Sequence, residues 1–82
     1  MKLHDCPRDC FVRILKPEEP PPGMVGFTAG EIIWFGQIDG MYSYCKDSEN
    51  NVVHLKAWTE VEILDVADIP DWGHSLWSQQ YN

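Results

Sequence analysis

The stretch of sequence that decides the fold is EIIWFGQIDGMYSYC, residues 31–45. It holds two runs of β-branched and aromatic residues on either side of Asp39-Gly40, a dipeptide that favours a hairpin with a two-residue turn. The register of such a hairpin places Phe35 opposite Tyr44. Large apolar side chains occur at both parities, although a sheet with one buried face needs only one of the two sets. The stretch therefore raises the question of what covers the second face.

The segments around this hairpin predict three further strands. The run from Cys10 to Leu15 alternates and predicts the first strand, and Glu31 to Ile38 forms the second. Between them, KPEEPPPGMVG (residues 16–26) predicts a long, partly stiff loop, because proline removes backbone donors. After the hairpin, NVVHLKAW (residues 51–58) and TEVEIL (residues 59–64) predict the last two strands. The expected fold is all-β with five short strands.

Alternation along the three central strands divides their side chains between two faces. One face carries Ile33, Phe35, Tyr42, Tyr44, Val53 and Leu55, and it predicts a continuous core. The other carries Trp34, Ile38, Met41, Ser43, Cys45, Val52 and His54. Either the C-terminal tail covers this second face or a partner does. We expect the tail to cover part of it, with Trp34 partly open at its edge and Met41 beside it as a candidate contact.

Three short motifs resemble those of SH3-like small barrels. They are GEIIWF (residues 30–35), DGMYSY (39–44) and AWTEVEIL (57–64). The resemblance implies a five-stranded barrel over residues 10–64, an N-terminal arm over residues 1–9 and an irregular acidic-aromatic tail over residues 65–82. Peptide-binding SH3 domains recognise proline-rich ligands through an aromatic groove. This chain lacks their opening tyrosine motif and has Met41-Tyr42 in place of their tryptophan pair, so the resemblance implies the barrel and not that recognition.

Length and charge restrict the classes of function. An 82-residue chain has room for one modest core. Its formal net charge is -7, and from residue 17 onward eleven carboxylates face only Lys46 and Lys56. Such a surface repels phosphate, which disfavours direct nucleic-acid binding and favours a protein partner with a basic surface. The compact, acidic character is also similar to that of bacteriophage accessory proteins, many of which bind and inhibit a host protein.

The cysteine content favours a cytoplasmic protein with free thiols. Three cysteines are an odd number, and no apolar stretch of signal-peptide length precedes them. No segment approaches the roughly 20 apolar residues that cross a bilayer, so we expect no membrane association.

Two groups of residues contain side chains capable of metal binding or catalysis, but neither forms a complete pattern. His4, Cys6 and Cys10 are potential zinc ligands, but a second ligand pair is missing, so we expect no metal and no cofactor. Cys45 and His54 could form a nucleophile and base, but a cysteine on a small barrel strand is usually buried. We therefore expect no enzymatic activity.

The tail combines carboxylates with large aromatic side chains, which are enriched in binding hot spots. The predicted partner-binding residues are Trp34, Met41, Glu60, Glu62, Asp65, Asp68, Asp71, Trp72 and Trp77. The resulting hypothesis is a noncatalytic protein-binding module whose carboxylates stand in for phosphates and so inhibit a nucleic-acid-binding protein. The alternative is a small-molecule or nucleotide-binding protein with an aromatic pocket, in which an anionic nucleotide would require Arg8, Arg13 and Lys16 to converge. The sequence does not determine the oligomeric state.

Overall fold

A computed structural model describes residues 1–19, 22–23 and 26–73 of the chain. The five strands are β1 (Cys10–Lys16), β2 (Ile32–Asp39), β3 (Tyr42–Lys46), β4 (Val52–Val53) and β5 (Glu60–Ile63). All of them belong to one antiparallel sheet, in the order β4-β3-β2-β1-β5. Short 3₁₀ helices, Leu3–Asp5 and Val66–Asp68, lie before and after the strands. The predicted all-β fold with five antiparallel strands is confirmed.

The strands of the sheet do not form a closed barrel. Among the residues that the structure describes, β4 pairs only with β3 and β5 pairs only with β1 as named strands, so the sheet is not closed into the predicted barrel. Over the same residues, no helix is long and apolar enough to span a membrane.

The turn between β2 and β3 contains Gly40 and Met41, and the predicted turn at Asp39-Gly40 is wrong by one residue. Asp39 remains in the strand and pairs with Tyr42. Gly40 has φ +65°, whereas Met41 is not among the residues with positive φ. Glycine at the first central position is typical of a type II′ turn, whereas the type I′ turn assumed from the sequence needs positive φ at both positions. A glycine at position 40 is compatible with both turn types, so the sequence did not distinguish between them.

A bulge at Gly36 shifts the register again. The flanking pairs are Phe35 with Cys45 and Gln37 with Tyr44. A Cβ atom on Gly36 would lie 2.8 Å from Cη2 of Trp34 and 3.0 Å from the carbonyl oxygen of Tyr44. Glycine therefore lets the indole ring lie against the backbone of its own strand at the bulge.

The main core lies on one face of the sheet. Its buried residues are Leu3, Val12, Ile14, Ile33, Phe35, Cys45, Leu55 and Val61. The prediction that Ile33, Phe35 and Leu55 share a buried face is confirmed. The prediction that Tyr44 joins them is wrong, because the bulge turns Tyr44 to the second face, where it is only half-buried, and places Cys45 in the main core.

The first residues of the chain pack against the sheet. Leu3 is 0% exposed and lies in the main core. Its backbone N–H donates to the carbonyl oxygen of Thr59 at 2.9 Å, and Lys2 forms a β-bridge with Glu60. The segment predicted as an arm therefore supplies a core side chain and pairs with the start of β5.

The second face of the sheet is covered by the chain after β5. Phe11, Trp34, Leu64 and Ile69 are buried there, with Ile32, Tyr44 and Trp72 half-buried against them. The rings of Phe11 and Trp72 meet edge-on with centroids 5.7 Å apart. A Cβ atom on Gly73 would lie 2.7 Å from Cγ2 of Ile69, so the backbone there also packs closely. The apolar side chains at the second parity thus form a second core inside the same chain.

Candidate partner-binding surfaces

Trp34, which we predicted to lie partly open, is buried. It is only 6% exposed, and its indole Nε1–H donates to Oδ1 of Asp9 at 2.8 Å. The ring of Tyr44 meets it edge-on with centroids 6.2 Å apart, and Nζ of Lys46 lies 5.8 Å from its ring centroid. These contacts hold the indole within the second core, where little of its surface is open to a partner.

Met41 lies at the opposite end of the hairpin. Met41 is 63% exposed, and its carbonyl oxygen accepts a hydrogen bond from the backbone N–H of Ala57 at 2.9 Å. Because Trp34 pairs with Lys46 while Met41 occupies the turn, five residues of strand, about 17 Å, separate the backbone positions of the two residues. The structure does not bring Trp34 and Met41 together into one contact.

Glu60 and Glu62 form ion pairs with basic groups at the start of the chain and in β1. Oε2 of Glu60 lies 3.1 Å from the amino group of Met1, and its Oε1 lies 2.7 Å from Nζ of Lys2. Hydrogen bonds from Lys2 and then from the amino terminus lower the pKa of Glu60. Glu62 pairs with the guanidinium of Arg13 across the β1–β5 ladder. These three positive groups offset the charges of the two carboxylates, which leaves Glu60 and Glu62 little net negative field with which to attract a basic partner.

The three aspartates that follow β5 are exposed. Asp65 precedes the 3₁₀ helix Val66–Asp68, Asp68 is its last residue, and Asp71 follows it. Among the described residues, no basic group lies within ion-pair distance of any of the three. Val66, between them in sequence, is 67% exposed. We call residues 65–71 the acidic segment.

The acidic segment is anchored to the fold by its apolar residues. Ile69 is buried in the second core, and Leu64 just before the segment donates its N–H to the carbonyl oxygen of Phe11 at 2.9 Å. Trp72, predicted as a contact, is half-buried against Phe11. Trp77, predicted as a contact in the same tail, lies outside the described residues.

A shallow groove lies between the loop after β1 and the chain that connects β4 to β5. It is lined by Ile14, Pro17, Glu18, Glu19, Gly26, Phe27, His54, Leu55, Lys56 and Thr59. We call it the acid-rimmed groove. Sequence reasoning missed it because its two walls come from segments about thirty residues apart in the chain. The signal that could have indicated it is Phe27, a lone aromatic residue in a proline- and glycine-rich loop.

The basic residues required for an anionic nucleotide do not converge on this groove. Arg8, Arg13 and Lys16 are absent from its lining, and Arg13 pairs with Glu62. The only lysine in the lining is Lys56, whose Nζ lies 5.8 Å from the ring centroid of Trp58.

The cysteines are free thiols whose environments oppose ionisation. Burial raises the pKa of Cys10 to about 12 and that of Cys45 to about 11. Burial also raises the pKa of Cys6, whose Sγ lies 3.5 Å from Sδ of Met1. A nucleophile or metal ligand needs the thiolate, which these shifts disfavour at neutral pH.

The candidate metal ligands and the candidate catalytic pair, Cys45 and His54, are not arranged around a shared centre. His54 directs its Nδ1 to the carbonyl oxygen of Ser43 at 2.8 Å, while Sγ of Cys45 lies 3.2 Å from Oγ of Ser43. Nδ1 of His4 lies 3.2 Å from Asp5. Over residues 1–19, 22–23 and 26–73, no group of three or more His, Cys, Asp or Glu side chains is placed to hold a metal ion.

Comparisons of the chain with protein-family models, with curated proteins and with solved structures found no match.

Proposed function

We propose that this protein is a noncatalytic protein-binding module that docks on a basic surface through its acidic segment. The observation that carries the proposal is the exposure of Asp65, Asp68 and Asp71 without a basic neighbour among the described residues, on a segment fastened to the second core by Ile69. A charged surface that is already held in place loses less conformational entropy on binding than one that must be ordered. Its charge also accelerates encounter with an oppositely charged partner.

The partner that fits this surface best is a protein whose basic patch normally binds nucleic acid. Carboxylates spaced along a short segment can occupy the positions of phosphates, so binding would exclude the nucleic acid and inhibit the partner. Exposed Val66 among the aspartates supplies an apolar contact that can be desolvated at the centre of the interface. We place this activity in the cytoplasm, in the manner of a bacteriophage accessory protein that acts on a host protein.

We further propose that this open five-stranded sheet is related in its strand arrangement to the SH3-like small barrels, although it is not closed into a barrel. Five short strands, the long loop after β1 and the tight β2–β3 hairpin support it. In this architecture the acidic segment leaves the end of the last strand, β5, and covers one face of the sheet.

The proposal is tested by removing the charge of the acidic segment without changing its shape. The triple variant Asp65→Asn, Asp68→Asn, Asp71→Asn should lose a partner that the wild-type chain captures from its native cells. The matched control is Asp5→Asn, Asp39→Asn, Glu49→Gln, which removes three exposed negative charges elsewhere from the net charge of -7. Affinity purification with quantitative mass spectrometry compares the three proteins. Equal loss in both triples, or none in the first, would show that the acidic segment is not the contact.

A further inference from the structure

The acid-rimmed groove has an apolar floor. Ile14 and Leu55 are buried in the main core at its base, and Phe27 packs against the same core from the loop after β1. Because Ile14 and Leu55 are almost fully buried, the apolar surface that the floor offers to a ligand comes mainly from the half-buried ring of Phe27.

The rim of the groove carries more negative than positive charge. Glu18 and Glu19 both line it and are exposed, and no basic group of the described residues lies within ion-pair distance of either carboxylate. The one ammonium group in the lining, that of Lys56, lies near the face of Trp58. The groove therefore has unneutralised carboxylates that a cation would complement.

His54 also belongs to the lining of the groove. Its Nδ1 lies 2.8 Å from the carbonyl oxygen of Ser43, and a carbonyl can only accept a hydrogen bond, so Nδ1 donates it. This hydrogen bond fixes the imidazole ring in the wall of the groove.

We propose that the acid-rimmed groove binds an arginine side chain of the protein partner. The aliphatic stem of arginine can pack on the half-buried ring of Phe27, and its guanidinium carries the donors and the positive charge that Glu18 and Glu19 complement. The inference rests on the proposed function in that the arginine belongs to the same basic partner. It adds a second contact at the opposite end of β5, because Thr59 of the groove precedes this strand and the acidic segment follows it.

The probe that tests the groove is Nα-acetyl-L-arginine N-methylamide, titrated into the isotope-labelled full chain and followed by amide chemical shifts. Saturable shifts are expected at Phe27, His54 and Thr59, with a dissociation constant in the millimolar range appropriate to so small a ligand. The norleucine derivative has an aliphatic stem but no charge. It should bind about tenfold more weakly or worse, because it lacks the charge and the N–H donors that the two glutamates complement.

Two charge variants separate this groove from the acidic segment. Glu18→Gln, Glu19→Gln should weaken arginine binding about tenfold, whereas Asp65→Asn, Asp68→Asn, which removes the same number of charges, should leave it unchanged. Equal binding of the norleucine derivative, shifts scattered over all acidic surfaces, or an unaffected Glu18→Gln, Glu19→Gln variant would overturn the inference. Because the probe contains no partner protein, these results stand apart from the partner-capture experiment on the acidic segment.

Discussion

Gly36 determines how the indole of Trp34 is held. The bulge leaves Gly36 unpaired between Phe35 and Gln37, and the ring of Trp34 lies where a side chain at position 36 would project. The indole N–H reaches Asp9, a residue with φ +62°, a conformation that few residues other than glycine, asparagine and aspartate adopt readily. The ring of Trp34 is therefore held by a local contact at Gly36 and by a hydrogen bond to Asp9, which is 25 residues away in the sequence.

Replacing Gly36 by alanine should destabilise the protein, although alanine normally suits a strand interior better than glycine. The added Cβ would lie 2.8 Å from the indole and 3.0 Å from a carbonyl oxygen, so Trp34 or β3 must move. Overpacking of this kind costs roughly 1–3 kcal/mol, and thermal unfolding measures it. Gln37→Ala, at the next and exposed position, serves as the control. A melting temperature at or above wild type for Gly36→Ala would contradict the packing described here.

The buried thiol of Cys45 predicts a loss of stability in alkaline solution. Burial raises its pKa from the ordinary 9.0 to about 11, so the folded state holds the proton more tightly than the unfolded chain. The contribution of this group to stability is complete below pH 9 and is lost as the pH rises through about 11.

The measurement is the urea midpoint of wild type and Cys45→Ala across this alkaline range. The variant lacks the thiol and should lose less stability over the interval than wild type, even if it is less stable at neutral pH. Lysine and tyrosine titrations affect both proteins alike, so the difference between the two slopes isolates Cys45. Parallel slopes would show that the thiol ionises equally in the folded and unfolded chains.

The β2–β3 hairpin shows which features of an element are local. Its strands were predicted to within one residue at their outer ends, because runs of β-branched and aromatic residues need no distant information. The turn and register were not, because Gly40 is compatible with two turn types and the bulge depends on the Trp34 ring lying over Gly36. A one-residue slip moves every later side chain to the other face, which is how Tyr44 and Cys45 exchanged roles.

β4 is shorter than its sequence predicted, and the cause is the side chain of Ser43 on the neighbouring strand β3. The hydroxyl of Ser43 donates to the carbonyl oxygen of Leu55 at 2.9 Å and accepts the N–H of Leu55 at 3.1 Å. This side chain therefore satisfies both backbone groups that a longer β4 would have paired with β3. The ladder ends at Val53, and the freed chain forms one wall of the acid-rimmed groove.

The conformation of the turn predicts a position-specific effect of valine. Gly40→Val places a β-branched residue at φ +65° and should cost roughly 1–2 kcal/mol or more. Met41→Val, at the adjacent exposed position without positive φ, is the matched control and should change stability by less than half as much. Denaturant unfolding distinguishes the two. Equal losses would mean that strain at Gly40 does not govern the turn.

At the scale of the whole molecule, the protein has two cores on the two faces of one sheet and charge at both ends of β5. The second core is built from the chain after β5, so the same segment buries Ile69 and presents Asp65, Asp68 and Asp71. This segment therefore contributes to stability through the buried side chain of Ile69, whereas its exposed aspartates are the groups that we propose for binding.

The proposed partner should associate more slowly as salt is added. Exposed charges are screened beyond a Debye length that falls from about 10 Å at 0.1 M to about 3 Å at 1 M ionic strength. The association rate constant, measured by surface plasmon resonance or stopped flow, should fall steeply over that range while the dissociation rate changes little. The Asp65→Asn, Asp68→Asn, Asp71→Asn variant should show a much flatter dependence. A wild-type rate that is independent of salt would point to an apolar interface instead.

The sequence by itself determined the class of fold, the positions of the main strands, the burial of Ile33, Phe35 and Leu55 and the excess of negative charge after residue 16. These follow from alternation, propensity and composition, which act between near neighbours. Only the tertiary structure decided the register, the covering of Trp34, the ion pairs of Glu60 and Glu62 and the groove beside Phe27. The register depends on a bulge at which the Trp34 ring packs, and the other three features join residues far apart in the chain, so their packing and charge pairing depend on distances that no local pattern encodes.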